Sequence, residues 1–219
     1  MKRLHTRLGR CVGVDVGYRV FMGRRARSKA PPRRETVRER LALDERGDLT
    51  VAVISDTHSK AHPRAAELVR ALRPAHVLHA GDVGDLAVLA PFRAIAPLTV
   101  VRGNIDARTP DLPDDAVLEV TEASGQPALR LLLTHVAVRG ARLRADAARL
   151  AAAHDARVVI CGHSHVPFVG EDRGVVVFNA GSIGPRRFHL PIVFGVLAIR
   201  RGRLTMHHVD CETGEPWRP

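Results

Sequence analysis

An α/β fold with a mixed sheet or two packed sheets is predicted by three features of the sequence. Strand-length apolar runs alternate with helical patterns between Leu49 and Val101, and strands predominate afterwards. Clusters of Asp, Asn, His and Gly recur just past the apolar runs, where an α/β sheet presents its ligand-binding edge.

Leu49–Ile54 is a continuous apolar run of strand length and reads as a buried strand. Ala61–Leu72 sets Ala65, Leu68, Val69 and Leu72 on one face of an amphipathic helix. His76–Ala80 is a second strand, Leu86–Phe92 a short helix and Pro97–Val101 a third strand. Ala116–Val120 and Leu129–Thr134 read as a hairpin-type pair, and the Ala/Arg/Leu-rich stretch Ala141–His154 as a helix. Val158–Cys161, Val175–Asn179, Ile192–Ile199 and Arg203–His208 complete the strands.

The region before Leu49 is different. Residues 1–48 hold 14 Lys/Arg against 6 Asp/Glu, whereas residues 49–219 hold 20 against 17, so most of the net charge of +11 lies in the first segment. Apart from the alternating Val12, Val14 and Val16 it lacks periodicity, and Ala30-Pro31-Pro32-Arg33-Arg34 reads as a linker. The expected organisation is therefore a flexible basic extension, 1–48, and one domain, 49–219. Such an arm either grips phosphate backbones without sequence preference or is a solvated tail.

With 45% apolar and 26% charged residues, the composition excludes a disordered chain. No apolar run approaches the length of a membrane span, so no membrane partner is expected. Cys11, Cys161 and Cys211 are odd in number and far apart, which fits a reducing, cytoplasmic setting. Cys11–Phe21 is a poor signal peptide because Asp15 and Arg19 interrupt it.

Five strand ends carry the chemistry. They deliver Asp56 and His58, then Asp82, Asn104 and His135, and finally His163 and His165. His163-Ser164-His165 puts both imidazoles on one side of an extended segment. Two carboxylates, four imidazoles and an amide oxygen exceed the needs of one divalent ion and suit two ions sharing a carboxylate. Nitrogen and oxygen donors without thiolate favour Mn, Fe, Zn, Co or Ni over Ca or an iron–sulfur cluster. Two ions about 3.5–4 Å apart can clamp a phosphoryl group for in-line attack.

Ile54-Ser55-Asp56-Thr57-His58, Gly81-Asp82, Gly103-Asn104, Thr134-His135 and Gly162-His163-Ser164-His165 resemble the five blocks of the calcineurin-like metallophosphoesterases. Asn179-Ala180-Gly181-Ser182 is similar to the Asn-Pro-Gly-Ser block of their small bacterial and archaeal phosphodiesterases. The resemblance spans about Leu49 to Val209. It implies a four-layer α/β/β/α sandwich with two packed mixed β-sheets. It assigns Asp56, His58 and His165 to one ion and Asn104, His135 and His163 to the other, with Asp82 bridging and a bridging hydroxide as nucleophile. Asp82, Asn104 and His135 are the expected catalytic residues, and Mn is the expected metal, with Ni, Co, Fe or Zn as alternatives. Small members often self-associate, which adds a homo-oligomer to the expectations.

Two positions depart from the family pattern. Ile105 stands where many members carry a His that protonates the leaving group, and Val136 follows His135 in place of Gly. Around the site, Asp106 either orients the Asn104 loop or caps a turn, and His79 and Asn179 are expected to support the metals from behind. Arg186 and Arg187 are candidates to bind a substrate phosphate. The expected function is a dinuclear-metal phosphodiesterase acting on a phosphate ester. The alternatives are a nuclease that uses the basic arm on DNA or RNA, a phosphomonoesterase, or a non-catalytic scaffold; the scaffold is disfavoured because all seven donors are present.

Overall fold

The computed structural model describes residues 34–218 except Arg108 and Pro110. Two six-stranded mixed sheets pack face to face. The first runs β1 (Thr36–Ala42), β5 (Asp115–Thr121), β6 (Pro127–Thr134), β9 (Val158–Cys161), β11 (Val175–Asn179) and β10 (Phe168–Asp172). The second runs β14 (Pro216–Trp217), β13 (Arg203–Asp210), β12 (Val193–Arg200), β2 (Leu49–Ile54), β3 (His76–His79) and β4 (Leu98–Val100). β2, β3 and β4 are mutually parallel neighbours, as are β6, β9 and β11, so each sheet presents a row of carboxyl ends.

The central strands are buried on both faces, which is why their sequences read as unbroken apolar runs. Val51 and Val53 of β2 enter the core between the sheets, while Ala52 and Ile54 face helices α1 (Ala65–Ala71) and α2 (Ala90–Arg93) on the outside. In β6 and β9, Leu131, Leu133, Val158 and Ile160 face inward. Leu132 and Val159 face α3 (Ala145–Ala153), whose Ala147 and Ala151 sit one turn apart on the packed face. The result is the expected four-layer α/β/β/α sandwich. Among the described residues no helix is long and apolar enough to cross a membrane.

Several local expectations are corrected. The helix expected over Ala141–His154 begins only at Ala145, because Val138–Arg139 and Arg142–Leu143 pair as a small hairpin, β7 and β8. β10 and β14, both short and partly exposed, carry little apolar signal. The expected boundary at residue 49 shifts for residues 34–48. Thr36–Ala42 pairs in parallel with β5 over seven residues, and its inward side chains Val37 and Leu41 join the inter-sheet core. Arg38 and Arg40 alternate with them, and the third inward residue is Glu39, so the strand lacks an apolar signature. Glu39 hydrogen-bonds Thr99 on β4, whose hydroxyl lies 2.7 Å from Nε2 of His76 on β3. Residues 1–33, with the Val12–Val16 stretch and most of the linker, lie outside the described residues.

Phe178 on β11 crosses the inter-sheet core and lies against Gly195 on β12 of the opposite sheet. Phe178→Ala is expected to lower unfolding free energy by about 3–5 kcal/mol. Urea denaturation checks this, and an unshifted midpoint would show that the sheets are not locked there.

Candidate metal centre

The five strand ends converge where the carboxyl edges of the two sheets meet. One donor group is Asp56, His58 and His165, and a second is Asp82, His135 and His163, with ligand atoms in each group within 4.8 Å of one another. Asn104 joins the second group, its Oδ1 lying 2.9 Å from Nδ1 of His163 and 3.1 Å from Nε2 of His135. Asp82 stands between the groups. Its Oδ1 is 3.2 Å from Nε2 of His135, and its Oδ2 is 3.7 Å from Nε2 of His58. Each group draws donors from both sheets.

The sequence predicted that His163 and His165 lie on one side of an extended segment. The structure differs: both residues adopt left-handed backbone, with φ of 68° and 59°, and their rings enter different groups. Asp56, His58 and Asp82 are left-handed as well, with φ of 54°, 45° and 56°. Each such residue with a side chain costs about 1–3 kcal/mol, a cost that clusters at functional sites.

The donors are built for a cation. Asp56 is fully buried; its Oδ2 accepts from the Ser55 hydroxyl at 2.6 Å and the His163 amide at 3.0 Å. Its Oδ1 has no hydrogen-bond partner, though Nε2 of His165 lies 3.2 Å away and Nε2 of His58 3.9 Å. A buried carboxylate oxygen without a partner is costly unless an ion completes it. Nδ1 of His135 lies 2.7 Å from the Ala80 carbonyl and donates to it, which leaves Nε2, beside the oxygens of Asp82 and Asn104, as the nitrogen that would ligate an ion. Nε2 of His58 accepts from Arg187 at 3.0 Å, so that nitrogen is unprotonated and an ion bound there would take the place of the guanidinium. Imidazole nitrogens and carboxylate oxygens gathered this closely are complementary to divalent cations, and the seven residues fit two of them.

Ionisation states agree with ligation for most donors. Burial lowers the pKa of His58 and His163, reinforced by Arg187 and by His135 respectively, in the direction that favours the neutral imidazole. Burial works against the charge on Asp82, but the hydrogen bond and charge of His135 outweigh it and bring its pKa to about 2. Asp56 is lowered too, burial being outweighed by His165, His135 and Ser55. His135 is the exception: burial opposes its charge, yet Asp82 and Asp56 raise its pKa.

The supporting residues take distinct parts. Asp106 accepts from Val83 and Gly103 amides on one oxygen and from Gly84 on the other, at 2.9–3.0 Å, so it ties the Asp82 loop to the Asn104 loop. Asn179 is fully buried and donates to the Gly162 carbonyl at 2.8 Å and the Ser164 hydroxyl at 3.0 Å, fixing the segment that carries both late histidines. Nδ1 of His79 accepts from the Gly81 amide at 3.1 Å, so Nε2 carries the proton and faces Thr57 Oγ1 at 3.0 Å. Ser55 and Ser182 also reach Asp56, the latter through its backbone carbonyl at 3.1 Å. Their signal was their place in the Ser55-Asp56 and Gly181-Ser182 blocks. The two arginines part: Arg187 enters the site, while Arg186 turns away to Glu212 and the Leu190 carbonyl.

Residues 49–202 match the calcineurin-like phosphoesterase superfamily domain. The chain belongs to this superfamily. A probable metallophosphoesterase of Methanocaldococcus jannaschii is 31% identical over 144 residues, which cover 62% of this chain and 69% of the relative. Among solved structures, a predicted phosphoesterase of Streptococcus pneumoniae superposes with a TM-score of 0.56 at 20% identity, over 75% of this chain and 91% of its own. Vps29 of Entamoeba histolytica, solved with zinc, gives 0.62 at 23% identity over 77% and 96%. These two structures share the fold. Membership and the two clusters together match what a dinuclear divalent-metal phosphoesterase site requires.

Two outcomes test this site. A Cβ at Gly103 would overlap the backbone and Oδ1 of Asp82, and one at Gly162 would overlap Ser55 Oγ. Gly103→Ala is therefore expected to displace Asp82 and abolish binding of both ions, as measured by equilibrium dialysis; unchanged stoichiometry would contradict the packing. Burial depresses the His79 pKa to about 4. The unfolded chain thus takes up this proton first as pH falls, and the stability is complete above about pH 6.5 and lost toward pH 4. The loss from this residue is about 3 kcal/mol, and His79→Gln should flatten the pH–stability curve by that amount. Parallel curves for the two proteins would contradict it.

Proposed function

We infer that the protein is a phosphodiesterase of the small bacterial and archaeal type, working with two divalent ions, Mn²⁺ foremost. Asp56, His58 and His165 hold one ion, Asn104, His135 and His163 the other, and Asp82 serves both. The observation that carries this reading is the pair of donor groups facing Asp82, one carboxylate oxygen toward each. Bound divalent ions supply Lewis-acid polarisation of a phosphoryl group and ionisation of a water molecule.

The chain's own residues favour a diester. Among the described residues Arg187 is the guanidinium within hydrogen-bond reach of a donor, because Arg186 is paired with Glu212. One guanidinium complements the single charge of a diester and can hold its non-bridging oxygens bidentately. Ile105, beside Asn104 and half-exposed, offers no proton to a leaving group, which favours esters whose leaving group departs as an anion. A scaffold role on the same fold requires none of the seven donors.

Hydrolysis of bis(p-nitrophenyl) phosphate with added Mn²⁺ is expected to exceed that of p-nitrophenyl phosphate and to stop with a chelator. Arg187→Ala should lower kcat/KM for the diester about 10–100-fold, the worth of a charged hydrogen bond, while Arg186→Ala leaves it nearly unchanged. Turnover of the monoester alone, or equal losses in the two variants, would contradict the diester reading.

A further inference from the structure

Residues 34 and 35 precede the segment that matches the superfamily, yet they are seated on the strand ends that carry the second donor group. The Arg34 guanidinium grips Asp115 with two bonds, Nε to Oδ2 at 2.8 Å and Nη2 to Oδ1 at 2.6 Å, and Nη2 also donates to Thr134 Oγ1 at 3.2 Å. Asp115 is fully buried and is the cross-strand partner of Thr134. Thr134 is the residue before His135, so the guanidinium joins β5 to β6 one residue from a donor imidazole.

A second connection reaches Asn104. Glu35 accepts through its carbonyl from the amides of Asp114 and Asp115 at 2.9 and 3.1 Å, and its own amide donates to the Asp114 carboxylate at 2.9 Å. The segment this fixes holds Arg102. The Arg102 amide donates to the Pro113 carbonyl at 2.7 Å, its Nε to the Leu112 carbonyl at 3.0 Å, and the guanidinium lies 3.9 Å from Asp114. Gly103 and Asn104 follow directly. Among the described residues, no hydrogen bond or ion pair joins residues 34–43 to residues 55–59 or 162–166, which hold the first group and His163 of the second, so Arg34 reaches the second group through the His135 and Asn104 segments.

We propose that Arg34 is a positioning residue for the donor group of Asp82, Asn104, His135 and His163, acting through the ends of β5 and β6. This rests on the two-ion reading above. The physical basis is the buried Asp115 carboxylate. Burial raises the Asp115 pKa even with the guanidinium in place. Without its partner the carboxylate must take up a proton or move toward water, and either change disturbs Thr134 and the loop before Asn104. Partners behind the ligands of a metal typically change its affinity about 10–100-fold.

The test is a Mn²⁺ titration of the full chain, followed by calorimetry below the thermal midpoint, for wild type, Arg34→Ala and Arg34→Lys. His135→Ala and His58→Ala serve as references for the two groups. Arg34→Ala is expected to bind one ion with wild-type affinity and the other about 10–100-fold more weakly, following His135→Ala and not His58→Ala. Arg34→Lys keeps the charge without the two-pronged grip and is expected to fall between wild type and Arg34→Ala. Wild-type affinity for both ions in Arg34→Ala overturns the proposal. So does equal weakening of both ions, which would leave Arg34 with a role in folding alone. Should Arg34→Ala fail to fold, the same two criteria apply to Arg34→Lys. A wild-type chain that takes up fewer than two ions overturns the two-ion reading and this proposal with it.

Discussion

Two buried carboxylates, Asp56 and Asp82, with His58 beside them, face three imidazoles across the line where two sheets meet, and one oxygen of Asp56 has no hydrogen-bond partner. Much of the surrounding structure follows from holding these groups at close quarters. A buried carboxylate oxygen without a partner is unfavourable in a low-dielectric setting. Five of the seven donors also sit on left-handed backbone. Both features become favourable when divalent cations complete the site, so metal binding and local folding are linked.

The supporting network explains how such a site persists. Asp106 ties the loop after β3 to the loop after β4, and Asn179 ties the loop after β9 to the end of β11. His79 and Thr57 join the first and second loops. These contacts replace the strength that strained turns lack. Because each donor group combines residues of both sheets, bound ions would also fasten the sandwich at its open edge. The opposite fastening is apolar, with Phe178 spanning the core between the sheets.

The interior strands were legible because burial on both faces leaves an unbroken apolar run, as in Leu49–Ile54 and Val158–Cys161. The donor residues were legible because they follow those runs in a fixed order. β1 was hidden because its inward face is interrupted by Glu39, whose partners Thr99 and His76 are distant in sequence. The β7–β8 hairpin was hidden because the composition around Ala141 favours helix, and only the pairing of Val138 with Leu143 overrides it. Arg186 and Arg187 could not be told apart in sequence, since the direction each takes depends on Glu212, a residue near the end of the chain. The split of His163 and His165 between two groups was legible through the family resemblance alone, since it depends on backbone angles that periodicity does not encode.

The central claim is that the seven donors form two ion sites sharing Asp82. Equilibrium dialysis of the full chain against Mn²⁺, with metal and protein quantified together, tests it most directly when wild type is set beside Asp82→Asn. Two ions per wild-type chain and weakened binding of both in Asp82→Asn are the expected results. A wild-type chain that holds one ion or none, or an Asp82→Asn chain that keeps two at wild-type affinity, would contradict the claim.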